Sequence, residues 1–121
     1  MTDDWPDAAP GTSDIREDEA ASERASWEAI EECRHLDPPY HPTAWIAIVR
    51  RWGAAEAARH LLISGDIQPG FRRLIDARRV DLTVEWSALR PRWDRIFSDA
   101  HPQAAARWLR QAGVEPGQVD P

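Results

Sequence analysis

The sequence contains no lysine and no asparagine, has a single cysteine, and holds no apolar run longer than the six residues 44–49. Each shortage removes a class of protein. One thiol cannot build a disulfide framework or a thiolate zinc cage. Six apolar residues fall far short of the roughly 20 that a membrane-spanning helix needs, so no membrane role is expected. Without lysine, the loop 65–70 lacks the Gly-Lys-Ser/Thr ending of a phosphate loop, which excludes a nucleotide-hydrolysing P-loop. The opening residues Met1-Thr2-Asp3-Asp4-Trp5-Pro6-Asp7 are acidic and lack the basic start and apolar middle of an export signal. A cytoplasmic location is the expectation.

What is present is one domain's worth of chain: 121 residues, 42% of them hydrophobic. All 15 basic residues are arginine, against 21 acids, for a net charge of −6. That figure conceals a division. Residues 1–40 hold twelve acids and three arginines, a net of −9, whereas residues 41–121 hold nine acids and twelve arginines, a net of +3. An acidic leader precedes a mildly basic body, as in a solubilising tail, an interaction tail, or an arm folded over the body's arginines. The first residues combine Pro6, Pro10, Gly11 and several aspartates with almost nothing apolar, so they cannot offset the entropy of ordering a backbone. The expected organisation is a disordered acidic arm at 1–13, an acidic leader helix at 14–36, a helical domain at 37–113 and a flexible tail at 114–121.

The body reads as short helices. Asp14 and Glu17 resemble a capping box, and Trp27, Ile30, Cys33 and Leu36 then form an apolar stripe that Pro38-Pro39 stops. Only the second half of this helix has an apolar face, which makes the first half a solvated extension. Trp45, Ile48, Val49 and Trp52 fall at i, i+3, i+4 and i+7 after Pro42, with Gly53 as a left-handed terminator. Ala54, Ala58, Leu61 and Leu62 make a third stripe, and Phe71, Leu74 and Ile75 mark a fourth helix. Asp81 or Thr83 can cap a fifth segment whose face is Leu82, Trp86 and Leu89. A turn with Trp93, Ile96 and Phe97 follows. Ser98 can cap a last helix, with Ala105, Trp108, Leu109 and Ala112 buried and Gly113 closing it. No stretch alternates apolar and polar residues long enough to demand a strand. The fold class is therefore all-α, a compact bundle of five or six short helices. Six of the seven tryptophans occupy stripe positions, and burying each contributes about 4 to 6 kcal/mol at most, so the core is expected to be Trp-rich. Trp5, in the arm, is left as a possible contact anchor.

Residues 40–108 carry Tyr40-His41-Pro42-Thr43, Gly53-Ala54, Ala57-Ala58, Leu61-Leu62, Gly70-Phe71, Leu74, Val80-Asp81-Leu82-Thr83-Val84-Glu85, Trp93 and Ile96-Phe97. This pattern resembles a family of small bacterial proteins and domains of unknown function, the Asp-Leu-Thr-Val-Glu segment being its most specific part. It departs from that pattern at His41, where asparagine is the more frequent residue, and in its long acidic leader. The resemblance implies a self-contained helical module, used alone or attached to other domains, and no catalytic residue.

No catalytic constellation stands out. Cys33, His35 and His41 are the candidate metal ligands, but Cys33 and His35 fall on different helix faces and two prolines precede His41, so neither a metal site nor a cofactor is expected. Glu31 and Glu32 are helix neighbours and not a pair opposed across a cleft. An enzyme would require folding to bring His60 or His101 beside a carboxylate in a pocket. The residues singled out for a possible interaction surface are Arg50, Arg51, Arg72, Arg73, Arg78, Arg79 and Trp5. Arg72 and Arg79 are also within helical reach of Asp76. These features point to a non-enzymatic protein-interaction module with an unidentified protein partner. The alternative is a nucleic-acid-binding protein whose arginine surface is masked by the acidic leader.

Overall fold

A computed structural model describes residues 10–64 and 69–116, with side chains described over 15–64 and 70–116. The arm 1–9, with Trp5, and the last residues of the tail lie outside them. All elements among the described residues are helical. The first, α1, runs over Pro10–Arg34 and is 25 residues long. It thus starts ahead of the expected capping box, with a proline in its first turn, where a missing N–H removes no hydrogen bond. After the prolines, α2 (Thr43–Trp52) and α3 (Ala54–Ser64) are joined by Gly53 alone. Gly53 adopts φ +83° and donates its N–H to the Val49 carbonyl at 2.7 Å. A left-handed residue there is what lets two helices meet without a loop.

The helix α4 (Pro69–Asp76) ends in a Schellman turn. Arg79 N–H donates to Leu74 O at 2.9 Å and Arg78 N–H to Ile75 O at 3.0 Å, with Arg78 at φ +61° in the position glycine usually takes. A 3₁₀ turn over Val80–Leu82 leads into the short α5 (Val84–Ala88). Thr83, not Asp81, caps it: the hydroxyl accepts from Trp86 N–H at 3.0 Å and donates to Val80 O at 2.7 Å. A second 3₁₀ segment, Pro91–Ile96, precedes α6 (Ala100–Gln111). Ser98 does not cap α6; its backbone N–H instead donates to His101 Nδ1 at 3.1 Å. Gly113, at φ +87°, closes α6 through Val114 N–H to Leu109 O at 2.8 Å.

The core is built from alanine, not tryptophan. Ala54, Ala55, Ala57, Ala58, Ala88, Ala104 and Ala105 are buried together with Val49, Leu62 and Leu109, whereas Trp93 is the one tryptophan buried among the described residues. Trp27, Trp45, Trp86 and Trp108 are half-buried around this interior, and Trp52 is 44% exposed. In place of the expected Trp-rich core, the helices pack on their alanine faces, and the indoles other than Trp93 lie at the flanks.

The expected solvated extension is also corrected. In the first half of α1 Ala21, and just past its midpoint Ala25, pack against Ala55, Trp93 and Ile96. Further along, Trp27 packs on Val49, Ala54 and Ala57, and Ile30 and Cys33 are buried. The core therefore crosses the boundary drawn between a leader at 14–36 and a domain at 37–113.

Three substitutions test these turns. Arg78→Gly is expected to raise stability by up to about 1 kcal/mol by relieving a left-handed non-glycine residue. Thr83→Ala is expected to lower it by about 1 to 2 kcal/mol, through loss of both hydroxyl bonds, with Thr83→Ser retaining most of the stability. Urea-denaturation midpoints of the three variants check both.

Candidate arginine surface and buried-carboxyl cavity

The acidic helix lies on the basic body and pairs with it. Asp18 accepts from Arg95 Nε at 2.9 Å, Glu19 from Arg59 Nη2 at 3.0 Å, and Glu32 from Arg79 Nη2 at 3.5 Å. Arg59 is held further by Glu56 at 2.9 Å and by donation of its Nε–H to Ile96 O at 2.7 Å. Burial pulls the Arg59 pKa down, but the bonds from Glu19 and Glu56 outweigh it and leave the guanidinium above its ordinary value. Arg79 does not pair with Asp76. The helix has already ended at Asp76, and the left-handed turn at Arg78 carries Arg79 to both Asp81 oxygens, each at 3.1 Å.

The other arginines singled out from the sequence divide by environment. Arg73 is committed inward, donating to Pro38 O at 2.5 Å and lying 5.9 Å over the Tyr40 ring. Arg50 and Arg51 at the end of α2 are exposed, over the Trp27 and Trp52 rings at 5.7 and 5.8 Å. Arg72 and Arg78 are exposed on α4 and the turn after it. Trp52, read from the sequence as core, is instead part of this surface. Its ring stacks on His60 with centroids 4.3 Å apart, and Ile63, one turn further along α3, is 55% exposed.

Neither histidine of the enzyme reading lies in a cavity described below. His60 Nε2 meets Glu56 at 3.0 Å, but both side chains are about half exposed. His101 is bonded to Ser98, and burial, then the charge of Arg59, holds its pKa below the usual histidine value. Of the candidate metal ligands, Cys33 is buried, His35 is exposed and bonded to Glu31 at 3.1 Å, and His41 is exposed. Among the described residues no three His, Cys, Asp or Glu converge, and no helix is long and apolar enough to cross a membrane.

A feature missed in the sequence is Glu85. The expected face of α5 was Leu82, Trp86 and Leu89, but the buried residues are Glu85 and Ala88. Glu85 is 5% exposed and lines a cavity of about 320 Å³ between α1, α2, α4 and the start of α5. Ile30, Cys33, Tyr40, Trp45 and Phe71 line it too, with His41 at its exposed edge. Burial pushes the Glu85 carboxyl up to about 7, countered only by its own backbone N–H. Burial likewise raises the Cys33 thiol, against the pull of Arg79 and Arg73, and the Tyr40 phenol. A neighbouring cavity of about 500 Å³ shares Trp45, Thr83 and Val84 and is bounded by Arg79, Arg90 and Arg92. There Arg90 is buried, 4.3 Å over the Trp86 ring, and donates its Nε–H to Trp86 O at 3.3 Å.

The Glu85 environment fixes a pH dependence. A carboxyl at about 7 when folded and near 4.5 when unfolded holds more protons in the folded chain between those values. Its contribution to stability is therefore fully present below pH 4.5 and declines as pH rises through 7, by about 3 kcal/mol in all. Glu85→Gln is expected to remove that decline and to be more stable than the parent chain at pH 8 while matching it near pH 5. Denaturation of both proteins at the two pH values checks this, and a difference of equal size at both would mean that the carboxyl is not desolvated.

Comparison with protein-family models, with curated proteins and with solved structures finds no match to this chain.

Proposed function

We propose that the chain is a non-enzymatic helical interaction module of bacterial type, acting in the cytoplasm, whose arginine surface binds an acidic protein segment. The observation that carries this reading is the docking of α1. The body already holds one acidic helix through Arg95, Arg59 and Arg79, at Asp18, Glu19 and Glu32. Arg50, Arg51, Arg72 and Arg78 stay exposed, and Arg51 lies over the ring of the half-exposed Trp52. Arginine forks suit carboxylates, and an exposed Trp-Arg pair is the composition of an interface anchor. The resemblance of residues 40–108 to small bacterial helical domains supports a module that works by contact. The exposed setting of His60, and the engagement of His101 by Ser98, support the non-enzymatic part.

Nucleic-acid binding is the second reading, favoured by the same exposed guanidinium groups and by the acids of α1 occupying three arginines. Deleting α1 would not unmask them cleanly, because Ile30 and Cys33 belong to the core. Neutralising Asp18→Asn, Glu19→Gln and Glu32→Gln together is the better release. The test measures binding of a fluorescent, glutamate-rich helical peptide and of mixed-sequence duplex DNA to the full chain at low and physiological salt. Peptide binding is expected, with at least a tenfold loss when Arg50, Arg51, Arg72 and Arg78 are all changed to Glu. Duplex binding that is unmasked by the neutralised α1 and falls steeply with salt, with no peptide binding, would replace this reading with the second one.

A further inference from the structure

We propose that the cavity between α1, α4 and the start of α5 is a binding site for a small organic ammonium ion, an apolar molecule whose protonated amine pairs with Glu85. Nothing in the interaction reading uses this cavity. Its volume of about 320 Å³ lies at the small end of ligand sites, which suits a single compact molecule and excludes a peptide. Glu85 lines it and is 5% exposed, and among the described residues its carboxyl forms no ion pair. A buried acid left in that condition is costly, and the cost falls when a cation arrives.

The protein's own cations do not serve. Arg73 and Arg79, the nearest arginines to the Cys33 side of the cavity, are held by Pro38 O and by Asp81 and Glu32. The remaining walls select for the same class of ligand. Ile30 and Leu74 provide apolar surface, and Tyr40, Trp45 and Phe71 provide aromatic rings, whose faces attract ammonium groups. An anionic ligand would meet the Glu85 carboxylate, and a neutral hydrocarbon would leave that carboxylate buried and unpaired.

Pairing requires the ionised carboxylate, so binding follows its titration. Besides Glu85, the titratable groups facing the cavity are Cys33 on α1, Tyr40 and His41; no charged residue of α3 or α4 lines it. Burial keeps Cys33 and Tyr40 in their neutral forms in the neutral range, and His41 is at the exposed edge. With Glu85 titrating near pH 7, the competent fraction, and with it the affinity, drops about tenfold between pH 8 and pH 6.

The experiment is calorimetric titration of the full chain with 2-phenylethylamine and with its neutral isostere 2-phenylethanol. The amine is expected to bind saturably at pH 8, at least tenfold more tightly than the alcohol, and to weaken about tenfold at pH 6. Glu85→Gln is expected to remove both the preference and the pH step, whereas in His41→Gln the pH step persists. Carbon-13 observation of the glutamate carboxyls in the parent chain gives a readout that needs no variant: saturating amine lowers the titration midpoint of one buried carboxyl. Equal affinity for amine and alcohol, no saturable amine binding at pH 8, a pH step abolished by His41→Gln, or a carboxyl midpoint unmoved by the amine would each overturn the proposal.

Discussion

The arrangement of the helices depends on one carboxylate. Glu23, in the middle of α1, accepts the backbone N–H of Ala54 at 2.6 Å through Oε1 and the indole N–H of Trp27 at 2.7 Å through Oε2. Ala54 opens α3 and is 1% exposed, so water cannot satisfy that N–H. An unpaired donor at a buried helix start is destabilising, and a charged acceptor from another helix is among the stronger remedies. The bond fixes where α1 crosses α3, and from that crossing the rest of the interface follows. Asp18 and Glu19 fall beside Arg95 and Arg59 one turn earlier, while Trp27 is oriented onto the Val49 cluster one turn later. Polar contacts thereby align α1 on the body along the same surface where Ala21, Ala25, Trp27, Ile30 and Cys33 pack.

The alanine interior and the tryptophan periphery are two sides of one packing solution. Short side chains on α3, α5 and α6 let the helices approach until large groups no longer fit between them. The indoles are then displaced to the flanks, where their N–H groups reach acceptors: Trp27 to Glu23, and Trp108 to the Leu62 carbonyl at 3.3 Å. A fully buried indole must find such a partner inside the core, whereas a flanking one keeps its apolar face in contact and its polar edge near the backbone of the next helix. The same displacement leaves Trp52 at the surface, where His60 and Arg51 cover its faces.

Much of the fold was legible because it is written in local chemistry. Gly53 and Gly113 end helices where only a left-handed residue would serve, Thr83 caps the helix it precedes, and the stripes of α2, α3 and α6 place their buried faces close to where the periodicity put them. Illegible features were those decided by tertiary contact. Arg78 takes a left-handed conformation that its side chain disfavours, and the Leu74 and Ile75 carbonyls that secure it carry no sequence mark. The first half of α1 shows no apolar stripe in the sequence, and its docking joins the packing of Ala21 to acids whose partners lie up to 77 residues away. The apolar face read for this segment, Leu82, Trp86 and Leu89, does not include Glu85, and a helix of five residues is too short for periodicity to reveal its burial. Of the candidate surface, the exposure of Arg50, Arg51, Arg72 and Arg78 was readable, but the inward commitment of Arg73 and the pairing of Arg79 with Glu32 were not.

The distribution of arginines explains why a buried carboxyl persists in a chain with 15 guanidinium groups. Either of the two arginines nearest the Cys33 side of the cavity would have to leave a partner that already holds it in order to turn toward Glu85: Arg73 its Pro38 carbonyl and Tyr40 ring, Arg79 its bonds to Asp81 and Glu32. Those partners lie on α1, on the connection after it and on the first 3₁₀ turn, and the bonds tie these elements to α4 and to one another, so drawing an arginine inward would loosen the walls of the cavity itself. The acidic helix and the buried acid are linked in this way. By engaging Arg73 and Arg79 elsewhere, α1 and its neighbours leave Glu85 without a cation to offset its burial, and desolvation raises its pKa.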